Sequence, residues 1–278
     1  MIKKISTIVM LSLFFIGLSV LLYPAISSYW NSKTQSQVVE SYENMIQNLS
    51  KEDSEAILQK AEEYNESLRR LEFPLQEYGK VKDYHKTLNL NTAGIMGYIS
   101  IDSIGVELPI YHTVSESVLA FSAGHMEGTS LPVGGESTHS VLSAHRGLPN
   151  AKLFTDLDKV QVGDTFTVTI MDTVILYQVD QILTVTPENT ADIQIVEGED
   201  YCTLLTCTPY GINSHRLLVR GKRIDTIMEK EVYIANEAYQ IDTLIVTPIV
   251  ALPILLVLIL VVLFQPVKQE HITEGDEV

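Results

Sequence analysis

Thr203-Leu204-Leu205-Thr206-Cys207-Thr208-Pro209, with Arg216 nine residues after the cysteine, is the stretch on which the reading of this chain turns. A cysteine closing an apolar, Thr-rich run reads as the end of a β-strand, where rigid backbone presents a thiol to a cleft. The loop that follows, Thr208-Pro209-Tyr210-Gly211-Ile212-Asn213-Ser214, is dense in turn formers. Arg216-Leu217-Leu218-Val219-Arg220 then reads as the next strand. Two strands joined this way bring a thiol and a guanidinium side by side. That pairing suits cysteine chemistry on a carbonyl, with a fixed cation near the developing oxyanion.

Outward from this pair, short β-like runs parted by turns fill the middle of the chain. They are Tyr98–Ile101, Val106–Tyr111, Ser140–Ser143, Thr165–Met171, Val174–Val179, Gln181–Val185, Cys202–Cys207 and Leu217–Arg220. Many short strands with glycine punctuation point to a mainly β fold, a sandwich or barrel. Ser115–Ala120 and Ala151–Leu157 read as short helices. Before the β-rich region, Ile57, Ala61, Tyr64, Leu68 and Leu71 mark one face of an amphipathic helix, opened by the capping box Ser50-Lys51-Glu52-Asp53. From Leu71 to Ala93 the period is lost, and the segment reads as a linker.

The ends are unlike the middle. Ile5 to Tyr23 is almost wholly apolar behind Lys3 and Lys4, and runs into Tyr29 and Trp30 without a good cleavage site. It reads as an uncleaved membrane anchor. Leu244 to Phe264 is uncharged and would span ~31 Å as a helix, enough to cross a bilayer. Two spans put both termini on one side, and the N-terminal lysines mark that side as cytoplasmic. The expected organisation is an N-terminus and anchor over residues 1–30 and a helical segment with linker over 31–93. A β-barrel over 94–227, a linker over 228–243, a span over 244–264 and a tail over 265–278 complete it. A formal net charge of −16 leaves no basic stripe for phosphates, so no nucleic-acid partner is expected. The two cysteines, Cys202 and Cys207, lie five apart, on opposite faces of one strand, so they are not expected to bond.

A thiol needs a partner to become a good nucleophile. Of seven histidines, His145 stands out, because Val141-Leu142-Ser143-Ala144-His145-Arg146-Gly147 reads as a strand running into a turn. His85 reads as solvated, and His112 and His125 as satisfying polar contacts near the cleft. Thr203-Leu204-Leu205-Thr206-Cys207, Ser143-Ala144-His145-Arg146-Gly147, Arg216 and Gly124–Gly135 together resemble the sortases, the membrane-bound transpeptidases of Gram-positive surfaces. The stretch Leu148–Phe154 and the second span are most similar to class C, the pilin-polymerising branch. The likeness covers roughly residues 94–224.

The resemblance implies an eight-stranded sortase-like β-barrel with short helices. It implies that Cys207 attacks the Thr–Gly carbonyl of a Leu-Pro-x-Thr-Gly-like sorting motif to form a thioacyl enzyme. His145 would act as acid and base, and Arg216 would hold the oxyanion or position the substrate carbonyl. Ser143 and Thr206 are weaker candidates for lining the substrate groove. The implied partners are a pilin or surface-protein sorting motif, an acceptor amine and the lipid bilayer. No cofactor and no obligatory metal are expected, since Glu127, Asp156, Asp158 and Asp164 are scattered carboxylates. Many class C members carry an Asp-Pro-aromatic lid. Arg70-Leu71-Glu72-Phe73-Pro74-Leu75 has no such triplet, so it reads as a plain connector, with Glu72-Phe73 as an alternative stand-in. Three functions stay open: pilin polymerisation onto a lysine, attachment of single proteins to a wall-peptide amine, or a non-catalytic pilin-binding assembly factor.

Overall fold

The computed structural model describes residues 2–90 and 94–224. Eight strands form a closed barrel: β1 (Ile95–Ile101), β2 (Val106–His112), β3 (Ala123–His125), β4 (Thr138–Ser143), β5 (Thr165–Ile170), β6 (Thr173–Val185), β7 (Asp200–Thr208) and β8 (His215–Arg223). Around the barrel they run β1-β2-β3-β4-β7-β8-β6-β5, and β5 pairs back onto β1. β2–β3 and β4–β7 are parallel pairs, and the other pairs are antiparallel. The period of two sorts the side chains. Leu142, Cys202, Leu204, Leu217 and Val219 join the main core, while Val141, Leu205 and Leu218 form a second apolar cluster on the other face of the same strands.

The expected total of eight strands is met by a different set. Val174–Val179 and Gln181–Val185 are one strand, β6, whose register shifts between Val179 and Gln181. A bulge of this kind interrupts the alternation and makes one strand read as two. β3 has only three residues with a central glycine, too short to carry an alternating signal. The helix expected over Ala151–Leu157 is absent; turns lead into a 3-10 segment at Leu157–Lys159. Leu153 sits at φ 43, and the Phe154 N–H donates to the His145 carbonyl at 3.1 Å. These residues fold back on the end of β4 and close short turns, with the Thr155 N–H donating to the Lys152 carbonyl and the Leu157 N–H to the Phe154 carbonyl, in place of a regular α-helix.

Helix α1 (Ile2–Gln47) contains Pro24 and runs through the expected 30/31 boundary. Residues 2–25 belong to a unit separate from residues 26–224. Within them Leu13, Phe15, Ile16 and Val20 are exposed, and α1 is long and apolar enough to cross a membrane. In the barrel unit, the rest of α1 docks on the strands. The fully buried Tyr42 donates to the Met96 carbonyl and accepts from the Met171 N–H, each at 2.8 Å. Helix α2 (Lys51–Arg69) begins as its sequence expects, with the Ser50 hydroxyl accepting from the Asp53 N–H at 3.1 Å. Such a cap is worth about 1 kcal/mol. Its Ala61, Tyr64 and Leu68 join the main core. Helix α4 (Glu116–Leu119) falls within the expected Ser115–Ala120, after the single turn α3 (Pro74–Glu77) in the linker. The second apolar run, Leu244 to Phe264, lies outside the described residues.

Candidate active site

The antiparallel register of β7 and β8 sets Cys207 directly opposite Arg216. Opposed residues share a face of the sheet, with Cβ atoms about 4.5–5.5 Å apart. On the other side of β7, the parallel register with β4 matches Ser143 to Leu205. The Ala144 N–H continues that ladder, donating to the Leu205 carbonyl at 3.2 Å. Extended two residues beyond the last paired positions, that register sets His145 level with Cys207. Three adjacent strands therefore deliver His145, Cys207 and Arg216 to one end of one face, where all three are partly exposed. Ser143 lies on the same face, above the apolar floor of Val141, Leu205 and Leu218.

Thr206 does not belong to this surface. Its side chain points with Leu204 toward the interior, is 1% exposed, and donates to the Ala144 carbonyl at 2.8 Å. Strand alternation places it there: a neighbour of Cys207 in sequence must face away from it. Its hydroxyl holds the end of β4 against β7 and so spaces His145 from Cys207. Arg216 donates through Nη1 to the carbonyls of Asn213 at 3.2 Å and His215 at 3.1 Å. The β7–β8 loop thus fixes the guanidinium, as a scaffold for planar recognition requires.

Two neighbours within the His145 motif have contacts that the sequence does not show. Arg146, with a side chain only 9% exposed, forms an ion pair with Asp158 and lies 3.5 Å from the Thr208 hydroxyl. It bridges the residue after His145 to the residue after Cys207. Gly147, at φ +78, lies under the Tyr210 ring, which a Cβ would approach to 2.6 Å. That contact packs the β7–β8 loop over the end of β4.

The linker is more than a connector. Leu75 on α3 packs onto the cluster of Val141, Leu205 and Leu218, alongside Met126, Leu183 and Val185. Gly128, at φ +85, permits the approach, since a Cβ there would lie 2.9 Å from the Leu75 Cα and 3.1 Å from the Pro74 carbonyl. Glu72 and Phe73, the alternative anchors, are both exposed. Replacing Leu75 with serine removes apolar burial worth about 1–2 kcal/mol. It is expected to raise the alkylation rate of Cys207 by a bulky thiol reagent roughly tenfold. An unchanged rate, read by intact mass, would mean that α3 does not restrict the thiol.

His112, His125 and His139 are structural. His125 is enclosed, with Nδ1 2.9 Å from the Tyr84 hydroxyl and Nε2 2.8 Å from the Ser130 carbonyl. His139 lies between the Gln194 carbonyl and the Thr203 hydroxyl. Burial pulls the pKa of each down to about 4, so both are neutral near pH 7 and poorly suited to proton transfer there. Burial also lowers the pKa of His112, whose ring nitrogens face the carbonyls of Gly94 and Thr87. His112 and His125 thereby tie Tyr84, Thr87 and Gly94 to the barrel. Cys202 lies in the core, and burial pushes its thiol pKa well up. Both cysteines are free. Among the described residues no group of three or more His, Cys, Asp or Glu could hold a metal ion.

A thiol, an imidazole and a guanidinium on adjacent barrel strands define a cysteine-enzyme type of site. Comparison with known proteins gives it a family. Residues 99–224 match the sortase domain. The crystal structure of sortase C1 from Streptococcus agalactiae is similar with a TM-score of 0.64 and 48% identity, covering 68% of this chain and 99% of that one. Sortase C of Streptococcus pneumoniae gives 0.60 and 45%, over 68% of this chain and 97% of that one. A lid mutant of the S. agalactiae enzyme gives 0.63 and 44%, over 69% and 98%. Among curated relatives, sortase A of S. agalactiae serotype III is 30% identical over 117 residues, which are 41% of this chain. Sortase A of Bacillus anthracis is 28% identical over 144 residues, 51% of this chain. The matches span 47% and 66% of those two relatives. The chain belongs to the sortase family of cysteine transpeptidases, in the class C branch.

Proposed function

We propose that this protein is a membrane-anchored transpeptidase that cleaves a Leu-Pro-x-Thr-Gly-like motif between Thr and Gly and joins pilin subunits through a lysine isopeptide bond. The observation that carries the reading is the pairing of Cys207 with Arg216 across β7 and β8, flanked by His145 at the end of β4. The Cys207 thiolate attacks the threonine carbonyl, and the Arg216 guanidinium donates to the oxyanion that develops. His145, as imidazolium, gives its proton to the departing glycine amine, and the acyl group remains on Sγ. An incoming lysine amine attacks the thioester, His145 takes the surplus proton, and Sγ leaves as thiolate. Ser143 borders the acyl-binding surface. Thr206 acts indirectly, by holding β4 to β7. The proposed organisation keeps residues 1–30 as the anchor and residues 94–227 as the barrel. It places the barrel outside the cytoplasmic membrane, with a second span at 244–264.

The acceptor amine separates the polymerising reading from wall anchoring. The full chain in detergent micelles, given a sorting-motif peptide and equal amounts of a lysine-bearing pilin and a wall-peptide amine, is expected to yield the pilin isopeptide adduct. Mass spectrometry identifies the product. Exclusive transfer to the wall peptide would replace pilin polymerisation with anchoring. Stable binding of the motif without any acyl adduct would favour an assembly factor.

A further inference from the structure

His145 has a carboxylate partner that its own strand does not supply. Its Nε2 lies 3.3 Å from Oε1 of Glu116, the first residue of α4. We propose that Glu116 is a positioning residue for His145: its carboxylate accepts a hydrogen bond from Nε2–H and holds the ring so that Nδ1 handles protons over Cys207. The inference rests on the transpeptidase reading above. An imidazole has two nitrogens, and a carboxylate can only accept. A neutral His145 facing Glu116 is therefore held as the Nε2–H tautomer, with a lone pair on Nδ1. When His145 is the imidazolium, the same contact leaves the Nδ1 proton available for the departing amine.

The carboxylate is offered from an anchored segment. The Ser115 N–H donates to the Thr113 hydroxyl at 3.3 Å, and the hydroxyls of Ser115 and Ser117 lie 3.1 Å apart. From α1, the Gln35 side chain donates to the Phe121 carbonyl at 2.7 Å, just beyond α4. The other charged or titratable groups around His145 have separate tasks. Arg146 is paired with Asp158, Arg216 is held by the β7–β8 loop, and Cys207 is the thiol to be served. The Glu116 side chain is 85% exposed, so solvent screens the pair and its electrostatic effect is small. Its effect is to select one nitrogen and one ring orientation.

Two readouts on the full chain in micelles test this. In ¹⁵N NMR of labelled histidine, the neutral His145 ring is expected to be mainly the Nε2–H tautomer, a bias lost in Glu116→Gln and restored in Glu116→Asp. Acyl-adduct formation with a sorting-motif peptide is expected to fall roughly three- to tenfold in kcat for Glu116→Gln, with KM unchanged, consistent with an effect on proton transfer and not on binding. An unchanged tautomer ratio in Glu116→Gln overturns the proposal, and so does an unchanged kcat where wild type turns the peptide over. Failure of wild type to acylate overturns the transpeptidase reading instead, while the NMR arm still reads the orientation of His145.

Discussion

Cys207→Ala is expected to abolish the acyl adduct and all peptide transfer, with no residual activity carried by a second thiol. The only other cysteine is Cys202, which lies five residues earlier on the opposite face of β7. It is 1% exposed, and burial pushes its pKa well up, so it offers neither access nor thiolate. The loss should come from chemistry alone. Cys207 is partly exposed at the end of its strand, and removing its sulfur should change stability by no more than about 1 kcal/mol, a shift of a few degrees in Tm. Intact mass after incubation with a sorting-motif peptide, beside a thermal melt, reads both quantities. Transfer that persists in a folded Cys207→Ala protein would end the covalent mechanism.

Arg216→Ala should reduce kcat by roughly 10²–10³, the usual loss when one oxyanion donor is removed, with a much smaller change in KM. Arg216→Lys should recover little of that rate. The guanidinium donates through Nη1 to the carbonyls of Asn213 and His215, and its Nη2 and Nε make no hydrogen bond among the described residues. A lysine is a single point of charge on a flexible stem and cannot serve the loop and the oxyanion together. Steady-state kinetics with a fluorogenic sorting peptide measures the split. A KM effect without a kcat effect would reassign Arg216 to ground-state binding of the substrate. Full activity in Arg216→Lys would mean that charge alone suffices.

The elements with strong local patterns were legible in the sequence. β7 and β8 announce themselves by short apolar, β-prone runs around Leu204–Thr206 and Leu217–Val219 bounded by turn formers, and α2 by its Ser50 cap and its apolar stripe. β3 was not legible, because three residues hold less than two periods of alternation. The bulge in β6 reads as a break, since an unpaired residue has the same effect on the pattern as a turn. Thr206, a weak groove candidate in the sequence, is turned inward by the alternation of its own strand. The linker hid its role for a different reason. Leu75 is one apolar residue in an aperiodic stretch, and only its contact with Val141, Leu205 and Leu218 shows what it covers.

By itself the sequence determined which residue types are available and which face of each strand they occupy. Period-two alternation and turn chemistry are local, so Cys207 and Arg216 on a β7–β8 hairpin followed from residues 203–220 alone. The tertiary structure decided which strands are neighbours. The parallel pairing of β4 with β7 joins residues about sixty positions apart, and no local propensity encodes it. That pairing brings His145 to Cys207, and the docking of α3 and α4 brings Leu75 to the apolar floor and Glu116 to the imidazole. Such contacts form because closing the barrel buries apolar area that no single hairpin can bury. The site is therefore legible in its parts, and assembled only by the closed sheet.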